Sequence, residues 1–134
     1  MLPTMTIEAG VYEDPALQFS QGGKAWVTVK CILKDRRQVD GQWVDDDDSV
    51  WFVRVKAFGR VAENVAESVK RGDTIIASGR LQISKWKPEG GEERTYYDIV
   101  ADMIGLSLRF KTYEAEAAAV SHSPSRQAED PIPF

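Results

Sequence analysis

Residues 24–34 alternate between two kinds of side chain, and that alternation constrains the fold more than any other feature of the sequence. Val27, Val29, Cys31 and Leu33 fall on one side; Trp26, Thr28, Lys30, Ile32 and Lys34 fall on the other. A period of two is the period of a β-strand, with one face toward a core. The second face mixes aromatic, aliphatic and basic residues, so it is neither plain core nor plain surface. Residues 50–58 repeat the pattern: Trp51, Val53, Val55 and Ala57 on one face, Val50, Phe52, Arg54, Lys56 and Phe58 on the other.

The rest of the chain is organised around these two strands. A first strand fits residues 6–12, followed by a break at Asp14-Pro15 and a turn at Gln21-Gly22-Gly23. Residues 35–49 are polar and carry Asp40-Gly41 at their centre, a dipeptide that favours tight hairpin turns. Val61, Val65 and Val69 then recur at four-residue spacing before Gly72, the only helical period of the body. Residues 74–86 read as a long strand, Pro88 and Gly90-Gly91 as a turn, and residues 94–110 as the last strand or two. Three strands, one helix and two further strands is the connectivity of a five-stranded OB (oligonucleotide/oligosaccharide-binding) barrel, all-β with one helix and extended β-hairpins. After Tyr113 the composition shifts to Ala, Ser, Pro and acids, with room for one helical turn over residues 114–120. The expected organisation is one domain over residues 1–113 and a disordered acidic tail over 114–134.

Several classes of function are excluded or disfavoured. No apolar run approaches the roughly 20 residues a membrane helix needs, and the N-terminus lacks the pattern of a secretory signal. The single cysteine, Cys31, permits no intrachain disulfide and no cysteine zinc cluster, which fits a reducing cytoplasm. His122, the one histidine, lies in the tail and cannot anchor a catalytic triad or a metal centre with the body. Phe58-Gly59-Arg60 has too few glycines to cradle a phosphate. The aspartates at 45–48 read as a solvated loop rather than a divalent-cation site, since four consecutive acids cannot all face one ion. No enzyme activity, metal or cofactor is expected.

The net charge of −4 conceals an uneven distribution. Residues 1–113 carry 16 Lys and Arg against 17 Asp and Glu, and four of those acids are the 45–48 run. A basic surface can therefore exist if the run sits elsewhere. The candidate surface is the face carrying Phe52, Arg54, Lys56 and Phe58: two aromatics and two cations interleaved, as single-stranded nucleic acid requires for stacking and phosphate neutralisation. The competing reading buries both rings under the helix and leaves the cations solvated. Arg80, Gln82, Ser84 and Trp86 share one face of the long strand, and Lys85, Trp86 and Lys87 set an aromatic between two cations. Trp43, near Arg36 and Arg37 on the other hairpin, is either a further contact or hairpin packing.

The segment from Val55 to Glu63, Val-Lys-Ala-Phe-Gly-Arg-Val-Ala-Glu, resembles the aliphatic-Phe-Gly-Lys/Arg-x-Ala-Glu segment of bacterial-type single-stranded DNA-binding proteins. Lys70-Arg71-Gly72-Asp73 and Ser78-Gly79-Arg80-Leu81-Gln82-Ile83-Ser84-Lys85-Trp86 continue it in register, and Gly10, Asp14-Pro15 and Gly22-Gly23 fit upstream. Asp130-Pro131-Ile132-Pro133-Phe134 is similar to that family's acidic ending. The resemblance implies sequence-independent binding and protection of single-stranded DNA in replication, recombination and repair, by a cytoplasmic, nucleoid-associated homotetramer whose first strands pair across subunits, with a dimer as the alternative. It places Phe58 at the central stacking position, Trp86 at a second, Phe52 where a tryptophan commonly stacks, and Arg54, Arg71 and Lys85 at basic contacts. It makes Asp130, Ile132, Pro133 and Phe134 a tip that captures replication and repair proteins. The chain departs from the family in its aspartate run, in lacking a tryptophan just after the second strand, for which Trp43 stands as substitute, and in Pro131. An RNA-binding OB module and an oligomeric adaptor that only presents the tail are the alternatives.

Overall fold

The structure, a computed structural model, describes residues 1–113. The elements run β1 (Thr4–Val11), β2 (Ala16–Phe19), β3 (Ala25–Val39), β4 (Gln42–Phe58), α1 (Gly59–Ser68), β5 (Thr74–Trp86) and β6 (Arg94–Leu106). They form one sheet in the order β1-β5-β6-β4-β3-β2, and β1 pairs again with β3 at Gly10↔Ile32 and Val11↔Cys31, which closes the sheet into a barrel. The five long strands and the helix between the third and fourth of them are those the sequence predicts. The short β2 is additional: it pairs Ala16–Phe19 with the start of β3 at the rim. Four residues flanked by Pro15 and the Gly22-Gly23 turn are too few to display a period.

Alternation produces the core directly. Val27, Val29 and Cys31 from β3, Val53, Val55 and Ala57 from β4, Ile75 and Ala77 from β5 and Ile99 from β6 all point inward and are buried. The helix contributes Ala62 and Val65, with Val69 just beyond its end. Removing these apolar side chains from water stabilises the fold by about 25 cal/mol per Å² of surface buried. At the β5–β6 contact β6 carries one extra residue, a bulge opposite Ser78 and Gly79. Gly79 is required there: a Cβ would overlap the Val100 carbonyl oxygen and lie 2.7 Å from Ala101 Cα.

The β3–β4 hairpin turns at Asp40 (φ 52°) and Gly41 (φ 82°), two successive left-handed residues of the kind a two-residue hairpin turn demands. Both strands of this hairpin continue through the polar stretch, so residues 35–49 form an extended arm rather than a loop. A register shift between Lys34 and Asp35 marks where the arm leaves the barrel.

Beyond β6 the chain is tied back by two carboxylates. Glu8 accepts a hydrogen bond from the Ser107 hydroxyl at 2.7 Å and pairs with Arg109 at 3.1 Å. Asp73, buried, accepts from the Lys70 amide at 2.8 Å and the Tyr113 hydroxyl at 3.2 Å, and pairs with Lys111 at 2.7 Å. The Ser107 hydrogen bond, with Arg109 assisting, holds Glu8 below the usual carboxylate range. Burial pushes Asp73 upward, but Lys111, the Lys70 amide and Tyr113 together outweigh it and its pKa is lowered. The expected tail over residues 114–134, with its tip, lies outside the described residues. No helix among those described is long and apolar enough to cross a membrane.

Candidate nucleic-acid interface

The outward faces of β3 and β4 lie side by side, with Trp26 opposite Phe58, Thr28 opposite Lys56, Lys30 opposite Arg54 and Ile32 opposite Phe52. Phe52 is 59% exposed and Phe58 44% exposed, so neither ring is buried beneath the helix. The same alternation that sends Val53, Val55 and Ala57 inward turns these rings and the two cations between them outward. Tyr12 meets Phe52 edge-on, with ring centroids 5.8 Å apart, and the Lys24 ammonium lies 5.4 Å from the Phe58 centroid.

Parallel pairing with β4 brings β6 into the same surface, Arg54 opposite Asp98 and Lys56 opposite Val100. Asp98 receives both cations. Arg54 donates to it through Nε at 2.7 Å and Nη2 at 3.0 Å, and Lys56 Nζ lies 3.3 Å away. The Arg54 guanidinium also covers the Tyr96 ring at 4.4 Å. A groove of about 430 Å³ is lined by Tyr12, Lys30, Phe52, Arg54, Tyr96 and their neighbours. Next to β6, β5 adds Arg80 opposite Val100, Gln82 opposite Asp98, Ser84 opposite Tyr96 and Trp86 opposite Arg94. Trp86 is 54% exposed at the end of the strand, with Lys85 4.0 Å from Glu93 and Lys87 just past the strand end.

The remaining candidates stand apart from this face. The aspartate run lies on the arm, beside the arm's own cations: Asp45 is opposite Arg36 at 3.6 Å, and Asp47 is 3.4 Å from Lys34. Between residues 34 and 48 the arm carries three cations and six aspartates, so it is acidic as a whole. Arg36 further donates to the Trp43 carbonyl at 3.4 Å, while Trp43 itself is exposed on the arm with Arg37 nearby. Arg71 follows the helix, and its amide is anchored by Asp14 at 2.7 Å.

Sequence reasoning placed Trp26 and Lys30 on the outward face without assigning them a role, and it missed Tyr12, Tyr96 and Asp98. The alternation Tyr96, Asp98, Val100 against Tyr97, Ile99, Ala101 carried the signal for two of these. Among the described residues, no group of three His, Cys, Asp or Glu side chains is placed to hold a metal ion. Burial pushes the Cys31 thiol up to about 12, so it is not poised as a nucleophile.

The sequence profile of the single-strand binding protein family matches residues 2–107, most of the chain and all six strands. This chain belongs to that family. Among single-strand binding relatives, the single-stranded DNA-binding protein of Mycobacterium leprae is 36% identical over 120 residues, spanning 88% of this chain and 70% of that protein. The one from Mycolicibacterium smegmatis is 35% identical over 121 residues, spanning 88% and 72%. The crystal structure of the small single-stranded DNA-binding protein from Streptomyces coelicolor aligns with a TM-score of 0.72 at 26% identity, covering 80% of this chain and 95% of that one. The OB barrel thus agrees with the family architecture.

Proposed function

We propose that this chain binds single-stranded DNA without sequence preference and without catalysis. The observation that carries this is the outward pair Phe52 and Phe58 on one strand, with Arg54 and Lys56 between them. Exposed rings offer stacking surfaces that every base can use, worth about 1–3 kcal/mol per base, and cations beside them neutralise phosphate. Arg80, Lys85, Trp86 and Lys87 extend the contact along β5, and Arg71, away from this face, is a separate basic contact. The acidic arm leaves Arg36, Arg37 and Trp43 as weaker contacts at the margin.

In the cell this activity protects exposed strands during replication, recombination and repair, in the cytoplasm with the nucleoid. The barrel, residues 1–113, is the DNA-binding domain, and residues 114–134 form a tether. Its tip presents Asp130, Ile132, Pro133 and Phe134 to apolar, cation-rimmed pockets on replication and repair proteins. A homotetramer is supported by β1, whose pairing with β3 is confined to Gly10 and Val11, leaving the edge before it for another copy. Exposed Ile76 on β5, which pairs with β1, and exposed Met103 on β6, which pairs with β5, favour the same assembly.

Titration of labelled oligo-dT and a duplex of equal length, over a salt series, tests the main proposal. Tight, salt-sensitive binding of the single strand alone is expected. No binding, or equal affinity for the duplex, refutes it and favours the adaptor reading. Deleting residues 130–134 should leave DNA affinity intact or slightly raised while abolishing partner capture; weaker DNA binding contradicts the tether.

A further inference from the structure

Asp98 lies beside both cations of the Phe52–Phe58 strand, and it is only 3% exposed. Arg54 and Lys56 fold over it and shield it from water. A carboxylate so buried must be paired, and Asp98 is paired twice, through a bidentate Arg54 at 2.7 and 3.0 Å and a Lys56 ammonium at 3.3 Å. Arg54 is fixed further by lying over Tyr96. The two cations of the platform therefore share one counter-charge, and the cluster carries a net charge of only +1.

We propose that Asp98 is a positioning residue that acts as an internal counter-ion for the DNA face. The inference rests on the reading that this face binds single-stranded DNA. Asp98 holds Arg54 and Lys56 in place before DNA arrives, and it also stands in for phosphate. A phosphate that approaches meets cations already ordered and half neutralised. Fewer condensed ions leave the DNA than two free cations would release, so affinity depends more on the rings and less on salt. The slope of log affinity against log salt is about −0.7 per phosphate neutralised on a single strand. Removing the carboxylate charge without changing its shape exposes a second full positive charge and steepens the slope by about that amount. Over a tenfold rise in salt, that is roughly fivefold more affinity lost.

The test is a fluorescence titration of oligo-dT with the full chain over a tenfold range of salt, for wild type, Asp98→Asn, Lys56→Gln and the double variant. Asp98→Asn is expected to be steeper than wild type by about 0.7, and Lys56→Gln shallower by about 0.7. The double variant restores the net charge and should return to the wild-type slope. A steeper slope in Asp98→Asn does not reduce to a stability effect, because lost stability moves the melting temperature and not the salt slope of the folded protein. Should Asp98→Asn fail to fold, the comparison of Lys56→Gln with the double variant decides, since in the double variant Arg54 faces a neutral amide with no second cation beside it. An unchanged slope in Asp98→Asn, or a common slope for Lys56→Gln and the double variant, overturns the inference while leaving DNA binding intact. A wild-type chain that does not bind the oligomer overturns the DNA reading and this inference with it.

Discussion

Gly79→Ala is the substitution whose cost the structure defines best. The new methyl would overlap the Val100 carbonyl oxygen and sit 2.7 Å from both Val100 C and Ala101 Cα. All three are backbone atoms of β6, so no rotamer change relieves the contact. β5 and β6 must separate locally, just where β6 carries its extra residue. Overpacking of this kind costs about 1–3 kcal/mol, and each ladder hydrogen bond lost adds about 1 kcal/mol. With one or two bonds broken, the total is about 3 kcal/mol, a large share of a typical domain's 5–15 kcal/mol. At about 4–8 °C per kcal/mol, Tm should fall by roughly 12–24 °C. Thermal melting followed by circular dichroism reads this directly. Gly105→Ala is the control, because a Cβ at Gly105 meets nothing within 4 Å, and its Tm should stay close to wild type. A Gly79→Ala protein that melts within about 3 °C of wild type would refute the steric reasoning.

The double variant Phe58→Ala, Trp86→Ala should bind oligo-dT at least roughly thirtyfold more weakly, from about 1–3 kcal/mol lost per stack, with its circular dichroism spectrum unchanged because both rings are exposed. Unchanged affinity would remove these rings from the interface. Asp73 and Glu8 both have lowered pKa values in the fold, so the stability they contribute is present above the ordinary carboxylate range and is lost as pH falls through their folded values. Urea midpoints should therefore hold from neutral pH to about pH 5 and drop below about pH 4, and Asp73→Asn should be weaker at neutral pH with a shallower acid decline; an identical decline would contradict this. Cys31, buried and with its thiol pushed up to about 12, should react with a thiol reagent at pH 8 only after denaturation. Fast modification of the native protein would mean that the barrel opens far more readily than its packing implies.

Most of the barrel was legible because its strands have one face in the core and one outside. That asymmetry writes a two-residue period into residues 24–34 and 50–58, and the period also fixes which way Phe52 and Phe58 point. What the period alone left open was whether the second face met the helix or solvent, since that depends on which end of the barrel α1 plugs. Asp98 was not legible as a partner of Arg54 and Lys56 because the contact spans 44 residues and arises from a parallel pairing only three positions long. The aspartate run illustrates the opposite difficulty. The Asp40-Gly41 turn was readable, yet its consequence, that 45–48 fold back beside Lys34 and Arg36, depends on the register shift at Lys34. β2 left no trace because four residues beside a proline carry no detectable period.

The pairing between β4 and β6 covers only Arg54↔Asp98, Val55↔Ile99 and Lys56↔Val100, and that between β1 and β3 only two positions. Every other junction is longer, so the molecule is built as two leaves, β1-β5-β6 and β4-β3-β2, bound along two short spines. When native chains open without unfolding, the amides along those spines should exchange with solvent first. Arg54 and Lys56 belong to one leaf and Asp98 to the other, so their ion pairs act as a clasp across one spine. A DNA strand lying from Phe58 toward Trp86 would cross the same line, gripping one leaf at each end. Ligand and clasp would then hold the book shut together, and the quieting of exchange along that spine would report occupancy without any label on the DNA.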